Sequence, residues 1–109
     1  MFLLSLQVSS PPEKRSELLK SLKLLTSPVV VEPGCLTCRV YEDAKSRGDF
    51  LIIEEWHNRD DLTRYLNTEL FRKLLAVTEI FDSAPQIRCE EVHNNDGVKY
   101  IQSLMAGNI

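Results

Sequence analysis

Apolar and polar residues alternate at the beginning of the chain, from Phe2 to Val8. Every second residue of this segment is apolar, whereas Ser5 and Gln7 lie between them. Because successive strand residues point to opposite faces of a sheet, the pattern predicts a strand with one fully apolar face. The segment lacks the basic leader and the unbroken apolar run of a signal peptide, so we interpret it as a strand that begins at once.

A helical spacing of leucines follows this strand. Ser10 can cap the helix, Pro11 suits the first helical position, and Glu13 completes a capping box. The inner stripe then repeats at helical spacing: Leu18, Leu22 and Leu25. Pro28 is expected to kink or restart the helix, with a short helical turn over residues 29–32.

Two further strands are predicted after the turn at Pro33-Gly34, over residues 35–42 and 50–57. The polar segment between them contains Gly48 and is typical of a hairpin loop. The strand at 50–57 is rich in β-forming residues and has large apolar side chains on both faces. Because helices cover only one sheet face of a two-layer domain, something else must cover the second face.

The second half of the chain predicts two helices and a last strand. Asn58 is expected to cap the first helix, and Asn67-Thr68 marks a break with a new cap. The predicted inner face of the second helix consists of Leu70, Phe71, Leu74, Leu75, Thr78 and Phe81. Residues 86–92 form the predicted last strand, and residues 98–105 a short amphipathic helix.

The predicted fold class is α+β, with the order β-α-β-β-α-α-β. A ferredoxin-like four-stranded antiparallel sheet with helices on one face fits this order. We expect a single domain over residues 1–109, with a core at 2–93 and a tail at 94–109. The uncovered sheet face is predicted to be a homodimer surface.

Composition excludes several classes of partner and site. The 109 residues carry a net charge of -3 with scattered Lys and Arg, which disfavours nucleic acid. No apolar run approaches the roughly 20 residues that cross a bilayer, so no membrane is expected. His57 and His93 have no second His at metal-ligand spacing, so we predict no metal. The three cysteines, an odd number, indicate reduced thiols in the cytoplasm.

Cys35 and Cys38 match a CxxC pattern within a predicted strand. Strand residues three apart face opposite sides, so the two sulfurs are not expected to meet. A structural role is therefore favoured over redox chemistry. Cys89 is interpreted as a small apolar filler on the last strand.

Four segments, in this order and spacing, resemble the antibiotic biosynthesis monooxygenase family: Glu32-Pro33-Gly34-Cys35-Leu36, Glu54-Glu55-Trp56, residues 61–71 and residues 97–101. The resemblance implies a dimeric α+β barrel in which two sheets pack face to face. It also implies a class that includes oxygenases of quinols, anthrones and related phenols that use no metal or flavin, and haem-degrading members.

The chain departs from the family at two kinds of site. Many quinol-oxidising members have a His where this chain has Tyr65. Haem-degrading members use an Asn on the first strand, a Trp on the middle helix and a His further along, where this chain has Ser5 or a neighbour, Tyr65 and Leu75. Haem degradation is therefore not expected, and the usual His of quinol oxidation is missing.

The candidate catalytic residues are Trp56, Tyr65 and Glu54. Trp56 and Tyr65 could line a pocket, Tyr65 could orient a phenolic substrate, and Glu54 could be a base if desolvation raises its pKa. The predicted pocket walls are Phe71, Leu62 and Phe81. The plainer alternatives are a core Trp56 with a satisfied N–H, a half-buried Tyr65, and a Glu54 in an ion pair or in solvent.

Two functions remain open at this point. The first is a homodimeric monooxygenase that acts on a small quinol or aromatic phenol without a cofactor. The second is a non-catalytic small-ligand-binding or stress-response module of the same fold, which the absence of the usual His favours.

Overall fold

The computed structural model describes residues 1–93 and 96–107. Two 3₁₀ turns, Pro12–Lys14 and Ser27–Val31, flank the first helix. The strands are β1 (Phe2–Ser9), β2 (Cys35–Glu42), β3 (Asp49–Trp56) and β4 (Gln86–Glu91). The helices are α1 (Arg15–Thr26), α2 (Arg59–Leu66), α3 (Glu69–Phe81) and α4 (Gly97–Met105).

The four strands form one antiparallel sheet in the order β2-β3-β1-β4. The register of the central pair sets Phe2 opposite Trp56 and Ser9 opposite Asp49. The predicted ferredoxin-like α+β fold is confirmed, with an open sheet and α1 and α3 packed together. No helix in the described ranges is long and apolar enough to span a membrane.

The core lies between one sheet face and the helices. Alternate residues of β1 and β3 point into it, and the inner stripes of α1, α2 and α3 meet them. Its fully buried members include Leu4, Leu6, Leu18, Leu22, Ile52 and Leu74. The alternation of apolar residues in the strands and their helical spacing in the helices therefore specify which side of each strand and helix faces the core.

The opposite sheet face carries apolar side chains that the described residues leave uncovered. Leu3, Leu51 and Ile53 are only partly buried there, and Tyr41 on β2 is exposed. A groove of about 360 Å³ crosses this outer face, with Ser5, Gln7 and Arg88 among its lining. The sequence-based expectation of an uncovered apolar face agrees with this arrangement.

The predicted capping box at the first helix is wrong. Pro12 begins a 3₁₀ turn, α1 begins only at Arg15, and no side chain caps either start. The Ser10 hydroxyl is buried without a hydrogen-bond partner among the described residues, while its backbone N–H donates to the Gly48 carbonyl. Arg15 instead fixes the helix start, because its guanidinium donates two hydrogen bonds to Glu42 at 2.6 and 2.7 Å.

The predicted facing of the first cysteine is also wrong. Cys35 lies opposite Trp56 and Cys38 opposite Glu54, so three residues of β2 span two of β3. This irregularity between Cys35 and Thr37 is a β-bulge at Leu36. It brings both cysteines to the helix-covered face of the sheet.

Cys89 is exposed and does not fill the core as predicted. It lies on β4, an edge strand of which every residue is exposed in the single chain.

Candidate functional site

Two helix caps place the aromatic residues of the candidate site. The Asn58 side chain accepts a hydrogen bond from the Asp61 N–H at 2.9 Å, which confirms the predicted start of α2. The Thr68 hydroxyl accepts one from the Phe71 N–H at 3.2 Å and starts α3. Tyr65 and Phe71 consequently lie on the inner sides of consecutive helices, and both are buried.

A buried carboxylate holds the candidate site together. Glu54 and Trp56 point to the same side of β3, and Trp56 Nε1–H donates to Glu54 Oε1 at 3.2 Å. The Tyr65 hydroxyl donates to the other carboxylate oxygen, Oε2, at 3.1 Å. The structure therefore brings the three candidate catalytic residues into direct contact.

The aromatic rings form a continuous stack beside the carboxylate. The centroids of Trp56 and Tyr65 are 4.5 Å apart with 26° between the ring planes. The Phe71 ring meets Tyr65 edge-on at a centroid distance of 5.3 Å. Such contacts stabilise aromatic pairs beyond the area that they bury, so the rings support the geometry of the hydrogen bonds.

Burial changes the acidity of the central carboxyl group. Glu54 is 0% exposed, and this burial raises its pKa from 4.5 to about 7. The hydrogen bonds from Tyr65 and Trp56 lower the pKa and offset part of that effect. The alternative of a solvated or ion-paired Glu54 is wrong, because only neutral donors contact its carboxylate.

The groups around Glu54 remain protonated at neutral pH. Burial, together with the neighbouring Glu54, raises the pKa of the Tyr65 hydroxyl well above its usual value. Burial likewise raises the pKa of the Cys35 thiol to about 11 and that of Cys38 to about 12. Glu54 is therefore the group of this cluster that changes charge near pH 7.

The predicted pocket walls divide into two sets. Leu62 and Phe71 are buried in the same core as Trp56, and Phe71 contacts Tyr65. Phe81 lies ten residues after Phe71 on α3, about 15 Å along the helix. It borders a surface groove with Pro11 and Ile80, away from the carboxylate.

The candidate site is closed in this structure. Glu54 and Trp56 are 0% exposed and Tyr65 is 1% exposed. The grooves on the outer sheet face and between α1 and α3, each about 360 Å³, do not include these residues. A ligand can reach Glu54 only if neighbouring side chains move. Among the described residues, no group of three or more His, Cys, Asp or Glu is arranged to hold a metal ion.

Sequence reasoning missed the approach of Cys35 and Cys38 to the carboxylate. The bulge that places them there has no residue signature, because Leu36 is an ordinary strand residue. The spacing of Glu54 and Trp56, two residues apart on a strand, did carry the signal for their contact.

Comparison with known proteins agrees with this architecture. The family model described as antibiotic biosynthesis monooxygenase matches residues 1–77. The uncharacterized protein sll1783 of Synechocystis is 31% identical over 64 residues, which are 59% of this chain and 44% of that protein. The chain thus spans less than half the length of this relative.

Solved structures show the same fold. A crystal structure of an antibiotic biosynthesis monooxygenase is 25% identical with a TM-score of 0.75, covering 86% of this chain and 100% of that one. PA3566 from Pseudomonas aeruginosa is 25% identical with a TM-score of 0.73, covering 85% of this chain and 94% of that one. Rv0793 from Mycobacterium tuberculosis, at 18% identity, has a TM-score of 0.77, covers 87% and 97% of the two chains, and shows the fold alone.

The family match covers well over half of the chain, and the sheet order and helix placement fit the structural relatives. The protein belongs to the antibiotic biosynthesis monooxygenase family.

Proposed function

We propose that this protein is a homodimeric monooxygenase that acts on a small quinol or aromatic phenol without a cofactor. The observation that carries the proposal is a buried Glu54, with a pKa of about 7, in hydrogen-bond contact with Tyr65. A general base works best when its pKa lies near the operating pH. The family membership supports the monooxygenase kind of chemistry.

The proposed chemistry begins with removal of a phenolic proton. A bound phenol would give its proton to the Tyr65 oxygen while the Tyr65 hydroxyl passes its own proton to Glu54. The resulting phenolate is electron-rich enough to give an electron to O₂. In the overall reaction with a quinol, one ring C–H becomes C–OH, the two phenolic C–OH groups become C=O, and the second oxygen atom leaves as water. The substrate supplies all the electrons.

Substrate entry requires the aromatic stack to open. Phe71 is the most accessible ring of the stack, at 9% exposure, and meets Tyr65 edge-on rather than face to face. In the proposed enzyme, a flat aromatic substrate displaces Phe71 and takes its place against Tyr65. The dry surroundings then strengthen every hydrogen bond to the developing charge.

The proposed dimer forms through the outer sheet face. Leu3, Leu51 and Ile53 remain partly accessible there in the single chain. Apolar sheet faces of this kind are covered in folded proteins by a second layer, and a second copy supplies one by symmetry.

Oxygen consumption tests the enzyme proposal directly. The protein is mixed with hydroquinones, naphthols and anthrones in turn, and O₂ uptake is followed with an electrode. We expect uptake with at least one of them and a rate that rises with pH to a plateau above about pH 7, as Glu54 ionises. Tyr65→Phe should slow the reaction at least tenfold.

Matched controls separate the site from the rest of the chain. Tyr100→Phe and Glu79→Gln change exposed residues on α4 and α3, and they should leave O₂ uptake unchanged. Equal losses in Tyr100→Phe and Tyr65→Phe, or no uptake with any substrate, would contradict the proposal.

The closed core favours a second candidate, a non-catalytic module that binds a small aromatic ligand. Trp56 and Tyr65 stack with their hydrogen bonds satisfied, and Glu54 is fully buried between them and the core. Trp56 is the only tryptophan of the chain, so its fluorescence reports on this site alone. A ligand that changes this fluorescence without O₂ uptake would support the second candidate, and uptake would reject it.

A further inference from the structure

Two cysteines face the same side of the sheet at the edge of the candidate site. The bulge at Leu36 sets Cys35 opposite Trp56 and Cys38 opposite Glu54. These partners are two residues apart on β3, a separation of about 6.6 Å between Cα atoms on a regular strand, and the bulge adds one residue of β2 to that span. Disulfides join Cα atoms that are roughly 4.4–6.8 Å apart. A disulfide between these cysteines therefore requires β2 to tighten at the bulge.

The orientation of the first thiol favours approach to the second. The Cys35 S–H donates to the Thr37 carbonyl oxygen at 3.5 Å, so its sulfur leans along the strand toward Cys38. The two thiols are close enough for the charge of one to affect the pKa of the other. A small shift of the β2 backbone at the bulge would bring the two sulfur atoms together.

The surroundings leave both thiols within reach of a small oxidant. Cys35 and Cys38 are half-buried, and both are free thiols. They lie on β2, an edge strand of the sheet that has no strand neighbour on its other side among the described residues. An edge strand with a bulge can adjust without disturbing a second ladder.

We propose that Cys35 and Cys38 are a thiol–disulfide redox site, which a hydroperoxide oxidises to an intrachain disulfide at the margin of the Glu54 cluster. This proposal does not depend on the oxygenase activity. It assigns chemistry to the CxxC pattern that the sequence alone assigned to structure.

The proposed reaction has two steps. The Cys35 thiolate attacks one peroxide oxygen, the O–O bond breaks, and the products are a Cys35 sulfenic acid and an alcohol or water. The Cys38 sulfur then attacks the sulfenic sulfur, and the S–S bond forms as a second water molecule leaves with the Cys38 proton. Two thiols lose two electrons to one hydroperoxide. Cys35 reacts first, because its pKa is the lower of the two.

The rate of this oxidation should depend steeply on pH. With a Cys35 pKa of about 11, only a small fraction of this thiol is ionised at neutral pH. Since the thiolate is the nucleophile, the rate should rise about tenfold per pH unit between pH 7 and 9.

The test uses the full chain with Cys89→Ser, which removes the exposed third thiol. The protein is treated with hydrogen peroxide at pH 9, unfolded, blocked with N-ethylmaleimide and weighed by mass spectrometry. We expect the loss of two hydrogen atoms, no maleimide adduct, and a bond within the tryptic peptide 24–39. Trp56 fluorescence should fall on oxidation and return with a reductant, because Cys35 lies opposite this ring.

Two variants in the same background test the order of the steps. Cys38→Ser should accumulate a Cys35 sulfenic acid that dimedone traps. Cys35→Ser should form much less dimedone adduct. Two maleimide adducts after oxidation, sulfinic acids at both positions, or disulfides only between chains would each overturn the proposal.

Discussion

Replacement of Glu54 by Gln should remove a pH-dependent loss of stability from this protein. The folded pKa of Glu54 is about 7, and burial raises it from 4.5. As the pH rises, the unfolded chain therefore loses this proton first. The stability contributed by the neutral carboxyl is fully present below about pH 4.5 and is lost as the pH rises toward 7.

The size of the effect follows from the difference between the two pKa values. A gap of 4.5 to about 7 corresponds to about 3 kcal/mol in the free energy of unfolding. Gln has nearly the same shape, can accept from Trp56 Nε1 and can donate to the Tyr65 hydroxyl oxygen. The variant should be nearly as stable as the parent at pH 5 and more stable by up to about 3 kcal/mol at pH 8.5.

Urea unfolding at a fixed protein concentration measures this difference between pH 5 and 8.5. The exposed Glu79 on α3 provides the matched control, and Glu79→Gln should run parallel to the parent at every pH. A difference between Glu54→Gln and the parent that stays constant over this range would refute the buried-carboxylate reasoning.

Other substitutions test separate features. Tyr65→Phe should cost about 1–3 kcal/mol in urea unfolding, because it removes a donor from a buried carboxylate. Gly34→Ala should cost at least about 1 kcal/mol in the same assay, since Gly34 has a φ of 83° and its added Cβ would collide with the side chain at the start of α2. Glu42→Gln should destabilise the protein at pH 7 and matter less as the pH falls from 4.5 toward 2, because the Arg15 guanidinium lowers the pKa of Glu42 to about 2; urea unfolding at pH 3 and 7 checks this. Ile53→Glu should convert the proposed dimer to a monomer in light scattering, and a parent that is already monomeric at micromolar concentration contradicts the dimer.

Local signals in the sequence predicted most of the fold. Asn58 and Thr68 mark helix starts because a side-chain oxygen at that position can accept a free backbone N–H, and both bonds are present. Alternation over residues 2–8 specified which face of the first strand enters the core, since the side-chain period of a strand is two. Such rules depend on neighbours in the chain and need no tertiary information.

Features set by contacts distant in sequence were predicted wrongly. Ser10 has the residue type of a cap, yet its backbone N–H is bonded to Gly48 in the loop between β2 and β3. The ion pair of Arg15 with Glu42 sets the helix start instead. The bulge at Leu36 depends on how β2 pairs with β3, so it reversed the predicted facing of Cys35. Each error arises where one segment is positioned by another that is distant in the chain.

The sequence predicted which residues form the candidate site, but not that the carboxylate at its centre is buried. The sequence identified Glu54, Trp56 and Tyr65, and the spacing of the first two placed them on one strand face. Whether the carboxylate is solvated depends on the helix that covers it, and that was not readable from the strand. Full burial with only neutral donors makes Glu54 the group of the site that changes charge near pH 7.

A buried carboxylate with this acidity has a cost that a structural role does not explain. At pH 8 the buried carboxylate lowers the free energy of unfolding by about 3 kcal/mol. Domains of this size commonly have a total free energy of unfolding of about 5–15 kcal/mol. If Glu54 serves only to hold Trp56 and Tyr65, Gln should do the same at a smaller cost. If it serves proton transfer, Glu54→Gln should raise the unfolding free energy at pH 8 and abolish O₂ uptake in the same preparation. Stability at pH 8 should rise in both cases, so the retention or loss of O₂ uptake in this variant separates a structural hydrogen-bond acceptor from a catalytic base.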